Sequence, residues 1–261
     1  MRSGLIALVA AAATVAASFT AGAAAGKTLQ AYRHILLDGH KVKWGLPQPG
    51  TGAVVTYATL DGPQKFPLAR NCQAMGPVAP LLAANRIPAE RLRTELRAAF
   101  ALWSTVANIR FEPAAAPDSA DIVIGTQAVP RGRAFTNVEY GGPEPGAKGI
   151  RPLTRSLICL NPEIAWKTQF DGNLEVYDLR YTLLHEIGHA IGLDHPAVAS
   201  QLMDFRYLEQ FRSPQPGDIS GVVALYGPSR VATAAAKPPA VALRQVSGGP
   251  PVKRPTERPG G

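Results

Sequence analysis

The sequence predicts an α+β domain, in which a mixed sheet of five strands carries three main helices packed on it. Two observations lead there. An opening strand is followed by a helix and then by further strands, an order that favours a mixed sheet with helices laid on it. The first helical segment also carries a single apolar stripe, as a helix lying on a core must.

The elements follow in order. GAVVTYATL, residues 52–60, is short, β-branched and aromatic, and reads as a strand. Residues 61–87 carry several prolines and read as a long loop. Pro88 suits the first turn of a helix. After it Leu92, Leu96, Ala99, Trp103 and Val106 recur at alternating steps of four and three, one apolar face, with Arg91, Arg93, Glu95 and Arg97 largely on the other. IRFEPA and ADIVIGT read as two further strands, and RGRAFTNV, 131–138, as another. GGPEPGAKG, 141–149, is a turn-rich loop, and SLICLNPEIAW, 156–166, is a strand running into a turn. Residues 174–192 form the second helix, with Gly192 as its stop. The third runs from Gln215 to Tyr226, with Ile219, Val222, Leu225 and Tyr226 as its stripe, and Gly227-Pro228 ends it. No internal repeat is visible.

The two ends have a different character. Residues 1–25 have the parts of a secretory signal: Arg2, an apolar Ala-rich run over 4–18, and small residues suited to cleavage at Ala21-Gly22-Ala23 or Ala23-Ala24-Ala25. A membrane anchor is the competing reading, but the run is short for a span and no basic stop-transfer cluster follows. Residues 26–41 are then an N-terminal extension, 42–228 the folded domain, and 229–261 a disordered tail rich in Pro, Ala and Gly. The tail holds six basic residues against Glu257 and so carries most of the net charge of +8. Diluted by prolines and without interleaved aromatics, that charge gives no reason to expect a nucleic-acid partner. Cys72 and Cys159 are the two cysteines. In an exported chain they suggest one disulfide, the other reading being two separate buried thiols.

The informative stretch is His185-Glu186-Ile187-Gly188-His189-Ala190-Ile191-Gly192-Leu193-Asp194-His195. Residues four apart on a helix differ by about 40° in direction, so His185 and His189 project from one face, one turn apart. Two imidazoles so placed can share a Zn²⁺ ion at about 2.0–2.1 Å. Glu186 points about 100° away, wrongly for a ligand but within reach of a water at the metal. For His195 to return to the same ion the helix must stop and the chain must turn sharply, and Gly192 permits that turn. Three nitrogens with one open position mark a catalytic zinc. The bland alternative, a helix with exposed histidines, has to place three of the five histidines at these spacings by chance.

The extended motif resembles that of the metzincin clan of zinc endopeptidases. That likeness implies a fold with upper and lower halves and a cleft between them. It also implies a methionine turn beneath the metal, for which Met203 in Ser200-Gln201-Leu202-Met203-Asp204 is the candidate, as a packing floor. Within the clan the chain resembles the matrixins, peptidase family M10, over residues 42–227. The likeness rests on GAVVTYATL, AFALWSTVANIRFEPA, ADIVIGT, the zinc helix, the Met turn and DISGVVALYG. Phe205 stands where astacin-like and serralysin-like chains usually have tyrosine, and Tyr207 matches the tyrosine of the matrixin specificity-pocket wall. The chain departs from animal matrixins in three ways. The other histidines, His34 and His40, do not form the pattern of a second, structural zinc. Ca²⁺ is possible but has no recognisable motif, since Asp121, Glu144 and Asp171 read as solvated carboxylates. The inhibitory cysteine motif PRCGxPD is missing, which leaves a thiolate–zinc latency role for Cys72 as a minor alternative to the bridge.

The resemblance and the motif together imply a secreted zinc-dependent metalloendopeptidase, extracellular or periplasmic, with Glu186 as general base and one Zn²⁺ held by His185, His189 and His195. It is expected to act on protein or peptide substrates as a monomer, without stable membrane insertion after signal cleavage. A non-enzymatic extracellular adhesion protein on the same scaffold, or a zinc hydrolase of a non-peptide bond, are the alternatives. Arg206 and Arg212 are the residues expected to narrow the substrate pocket or favour acidic side chains, and an edge strand within RGRAFTNV is expected to pair with extended substrate backbone.

Overall fold

A computed structural model of the chain describes residues 31–142 and 149–230. The signal segment, the first part of the N-terminal extension, Glu144 and the tail beyond Arg230 lie outside the described residues.

Among the described residues the main sheet has seven strands. Five are the expected ones: β2 (Ala53–Thr59), β3 (Ile109–Pro113), β4 (Ile122–Thr126), β5 (Ala134–Tyr140) and β6 (Ile150–Leu160). Two more come from the N-terminal segment, β1 (His40–Lys43) and the two-residue strand Leu36–Leu37, which form an antiparallel hairpin. The long β6 organises the sheet. It runs parallel to β4 and β1 and antiparallel to β5, while β4 runs parallel to β2 and β2 to β3. Strand β5 pairs with β6 and with no other strand among the described residues, so one of its edges is open.

Strand β4 and the second half of β6, from Leu157 to Leu160, are buried on both faces, which is why they read as continuous apolar runs and not as alternating ones. Ile122, Ile124, Ile158 and Leu160 face the main core beneath the helices. Val123, Leu157 and Cys159 face a second cluster with Leu60, Phe66, Cys72 and Met75. That second face is covered by the segment after β2, fastened by a disulfide between Cys72 and Cys159. Both sulfurs are consumed and buried, so Cys72 has no thiolate to offer a metal and the latency alternative falls.

Four α-helices are present among the described residues, one more than expected. The extra one, α1 (Ala79–Ala84), lies inside the segment that reads as loop, and its six residues are too few to show a period. It buries Leu81 and Leu82. Helix α2 (Ala89–Val106) buries Leu92, Leu96, Ala99, Phe100 and Trp103, the predicted stripe widened by Phe100. Glu95 is also buried, against the expectation that it faces solvent. Its position, three after Leu92, is at the edge of the stripe, and ion pairs with Arg91 at 2.7 Å and with Arg180 hold its carboxylate there. Helix α3 (Leu179–Ala190) starts later than the pattern suggests. Asp178 caps it, its carboxylate accepting from the Tyr181 amide at 2.8 Å, and Tyr177–Asp178 pair with Trp166–Lys167 as short strands. Helix α4 (Pro216–Tyr226) closes the domain. No helix among the described residues is long and apolar enough to cross a membrane.

Candidate active site

Helix α3 sets the geometry. His185 and His189 fall one turn apart and converge, and the turn after the helix brings His195 to meet them. Gly192 makes that turn with φ at 104°, in the left-handed region. There is a second constraint: a Cβ on Gly192 would stand 2.4 Å from the Val42 carbonyl oxygen of β1. Beyond the glycine, Leu193–Asp194 pairs antiparallel with Arg33–His34, and the His195 amide donates to the Asp194 carboxylate at 2.8 Å. His34, outside the triad, is tied by Nε2 to the Gly221 carbonyl at 2.9 Å.

The His195 Nε2 lies 3.2 Å from that of His185 and 3.1 Å from that of His189. Nitrogens on a tetrahedral ion at about 2.0–2.1 Å stand a little over 3 Å apart, so the spacing fits zinc. The tautomers fit as well. Nδ1 of His185 donates to the Leu202 carbonyl at 2.9 Å, and Nδ1 of His189 to the Leu193 carbonyl at 2.8 Å. Their Nε2 lone pairs are therefore turned towards one another, an arrangement that only a cation or a proton can reconcile. Burial disfavours the proton. It holds His185 well below the ordinary imidazole range, lowers His189, and pulls His195 down to about 4. Among the described residues these three form the one group of His, Cys, Asp or Glu donors close enough to share an ion.

Glu186 stands beside the triad, buried to all but 4% yet lining the same cleft of about 520 Å³. Thr136 of β5 donates through Oγ1 to its Oε2 at 2.7 Å and also approaches its backbone carbonyl at 3.1 Å. Burial raises the Glu186 pKa, and the Thr136 hydrogen bond, the Arg133 charge and His195 oppose the rise.

Met203 is buried under α3, with its sulfur against Gly188. Its turn is held by Asp218 of α4, whose carboxylate accepts from the amides of Leu202, Met203 and Gln215 at 2.8, 3.2 and 2.7 Å. Phe205 is exposed, with its ring edge-on to His195 at 6.4 Å. Tyr207, expected at the pocket wall, is not among the residues that line the cleft; it stands edge-on to Tyr177 and Tyr181, and its hydroxyl accepts from the Asp178 amide and donates to Glu209. Arg206 is folded back onto Asp204 at 2.9 Å, and Arg212 lies over the Phe170 ring. Neither lines the cleft. The cations that do are the half-buried Arg133 and the exposed Arg131. Asp121 is engaged by the amide and hydroxyl of Thr56 at 2.8 and 2.9 Å, and Asp171 by Lys167.

Sequence reasoning missed Thr136, Arg133 and Asp218 as individuals. Asp218 left a trace, since it is the N3 acid of the Gln215-x-x-Asp218 capping box that opens α4. Thr136 and Arg133 left none, because a β-strand alternation does not say which face meets a helix from elsewhere in the chain.

A mixed sheet backed by helices, with three imidazoles converging at the end of one of them, is the architecture of a metzincin catalytic domain. More narrowly, the matrixin family matches residues 81–227, over half of the chain, and the chain belongs to that family. It is 31% identical over 153 residues to matrix metalloproteinase-19 of Homo sapiens, covering 55% of this chain and 27% of that protein. It is 30% identical over 155 residues to metalloendoproteinase 1-MMP of Arabidopsis thaliana, covering 55% and 40%. To karilysin of Tannerella forsythia it is 31% identical over 138 residues, covering 51% and 28%. The chain thus matches less than half the length of each of these relatives.

Proposed function

We propose that this chain is an exported zinc-dependent metalloendopeptidase that hydrolyses peptide bonds in proteins, with His185, His189 and His195 as the metal ligands and Glu186 as the general base. The observation that carries the reading is the convergence of three neutral Nε2 atoms on one point of a cleft that also holds a buried carboxylate. Membership of the matrixin family supports it, and the signal-like N-terminus supports export.

When bound, zinc supplies Lewis acidity at the open side of the triad, polarising a substrate carbonyl and making an attacking water acidic near neutral pH. The chain's own residues supply the rest. Thr136 occupies Oε2 of Glu186 and so leaves Oε1 to take the proton from the attacking water and pass it to the departing amine. The Leu202 and Leu193 carbonyls hold the first two imidazoles in the ligating tautomer. The open edge of β5, beside Glu186, offers backbone groups to an extended peptide.

The test compares wild type with Glu186→Ala. Both should bind zinc equally, and cleavage of a protein substrate should fall by about 10²–10⁴-fold in the variant. Equal cleavage by the two would refute the role of Glu186, and zinc retained after His189→Ala would refute the ligand set.

A further inference from the structure

The cleft contains a positive charge that nothing neutralises. Arg133, at the entry of β5, lines the cleft together with His185, Glu186, His189 and His195; Arg131 lines it too but is exposed to solvent, whereas Arg133 is half-buried. Its guanidinium carbon sits 5.1 Å from the Tyr207 ring centre and 5.7 Å from that of Tyr177. Among the described residues no carboxylate pairs with it, and its Nε is buried with no acceptor. The acids that might have done so are committed elsewhere. Asp194 is held by Arg33 at 3.4 Å and by the His195 amide, Glu186 is held by Thr136, and Glu209 is held by Lys167 at 2.8 Å and by Tyr207. Its charge reaches Glu186 and all three histidines.

An arginine stacked on aromatic faces keeps its planar edge free, and that edge matches a carboxylate with two parallel hydrogen bonds. Tyr207, under the guanidinium, stands edge-on to Tyr177 at 4.9 Å and to Tyr181 at 5.1 Å. The space beside the triad is therefore cationic.

We infer that Arg133 determines specificity by receiving a peptide carboxylate next to the scissile bond. Two sources share that chemistry: an Asp or Glu side chain, and the free carboxyl terminus of a short peptide. The inference rests on the peptidase reading above, and its test has one arm that does not.

In the first arm the zinc-loaded full chain is given two peptide libraries, one with amidated and one with free carboxyl termini, and cleavage sites are mapped by mass spectrometry. A side-chain source gives enrichment of Asp and Glu at one position flanking the cut in both libraries. A terminal source gives cuts at a fixed short distance from free ends only. Either preference should reach about tenfold, as expected for a charge-assisted pair. It should fall to near parity in Arg133→Leu, survive in part in Arg133→Lys, and turn towards basic residues in Arg133→Glu. Absence of both preferences in wild type, or their persistence in Arg133→Leu, overturns the inference.

In the second arm no cleavage is needed. Equilibrium binding to Glu186→Ala protein is compared for acetyl-Ala-Ala-Glu-Ala-Ala-amide, its Gln counterpart, and the Gln peptide with a free carboxyl terminus. One of the carboxylate-bearing peptides should bind about tenfold more tightly than the amidated Gln peptide, and the addition of Arg133→Leu should erase the difference. Equal binding of all three overturns the inference. Failure of every library to be cut, with the binding difference intact, would instead count against the peptidase reading alone.

Discussion

Gly188 lies on helix α3 where a side chain has little space. A methyl group there would stand 2.3 Å from the Sδ of Met203, 3.0 Å from its Cε and 3.0 Å from Cζ2 of Trp103. Met203 and Trp103 are buried, so neither can swing into solvent. The thioether can rotate. The indole cannot, because it is rigid and its Nε1 donates to the Leu184 carbonyl at 3.0 Å. Overpacking of this kind costs about 1–3 kcal/mol, while removing a glycine from a helix interior returns about 1 kcal/mol. Gly188→Ala alone should then lower stability by about 0–2 kcal/mol, too wide a range to decide anything. The decisive quantity is its coupling to Met203. Met203→Ala should cost about 2–5 kcal/mol through the cavity it leaves. In the double variant the clash with the thioether is relieved, while the 3.0 Å approach to the Trp103 ring persists. Gly188→Ala should therefore cost less in the Met203→Ala background than in wild type, with a favourable coupling of about 1–3 kcal/mol. Urea unfolding of the four proteins, with and without zinc, measures it. If Gly188→Ala costs as much in the Met203→Ala background as in wild type, the methionine is not the wall against which this helix packs.

Three further outcomes follow from contacts elsewhere. The Cys72–Cys159 bridge closes a separation of 87 residues. Replacing both cysteines by alanine should lower unfolding stability by about 2–5 kcal/mol, which denaturant titration under non-reducing conditions would show, and an unchanged midpoint would refute it. Lys43 is fully buried, its ammonium donating to the carbonyls of Trp44 and Leu46 and to Thr51, yet burial pulls its pKa down to about 8. Its unfolded value is near 10.5, so between these pH values the unfolded chain holds the extra proton. Stability from this group rises with pH across that window and is lost as pH falls through about 8. Lys43→Met should flatten the melting temperature against pH over that range, and an unchanged slope would show that another group sets it. Thr136→Val, finally, should lower kcat/KM about tenfold with zinc content unchanged, because Glu186 loses the donor that fixes its Oε2. A rate equal to wild type would show that Glu186 needs no such positioning.

How much of this was legible in the sequence depends on how local the signal is. The triad was legible because helix geometry and one glycine relate its three members within eleven residues. The five main strands were legible from β-branched runs, and α2 and α4 from their stripes. The late start of α3 was not, since Asp178 competes as a cap against a pattern that continues apolar on both sides of it. Helix α1 escaped because six residues hold less than two turns. Strand β1 and the Arg33–His34 pair escaped because their partners, β6 and the Leu193–Asp194 segment, are more than a hundred residues away. Arg206 and Arg212 looked suited to the cleft by proximity in sequence, but Asp204 and Phe170 hold them away from it. Arg133, some fifty residues before the motif, reaches it across the sheet.

The turn that carries His195 is held from both ends of the domain. The Trp44 indole donates to the Ala190 carbonyl at 2.9 Å, and the Tyr226 hydroxyl donates to the Ile191 carbonyl at 2.8 Å while accepting from the Trp44 amide at 3.0 Å. Those two aromatic residues are separated by almost the whole folded chain. During synthesis the helix with its first two imidazoles emerges before Tyr226 does, so the support of the turn that carries His195 should be among the last contacts to form. A site built this way should be timed by translation, incomplete on a nascent chain until Tyr226 has been made.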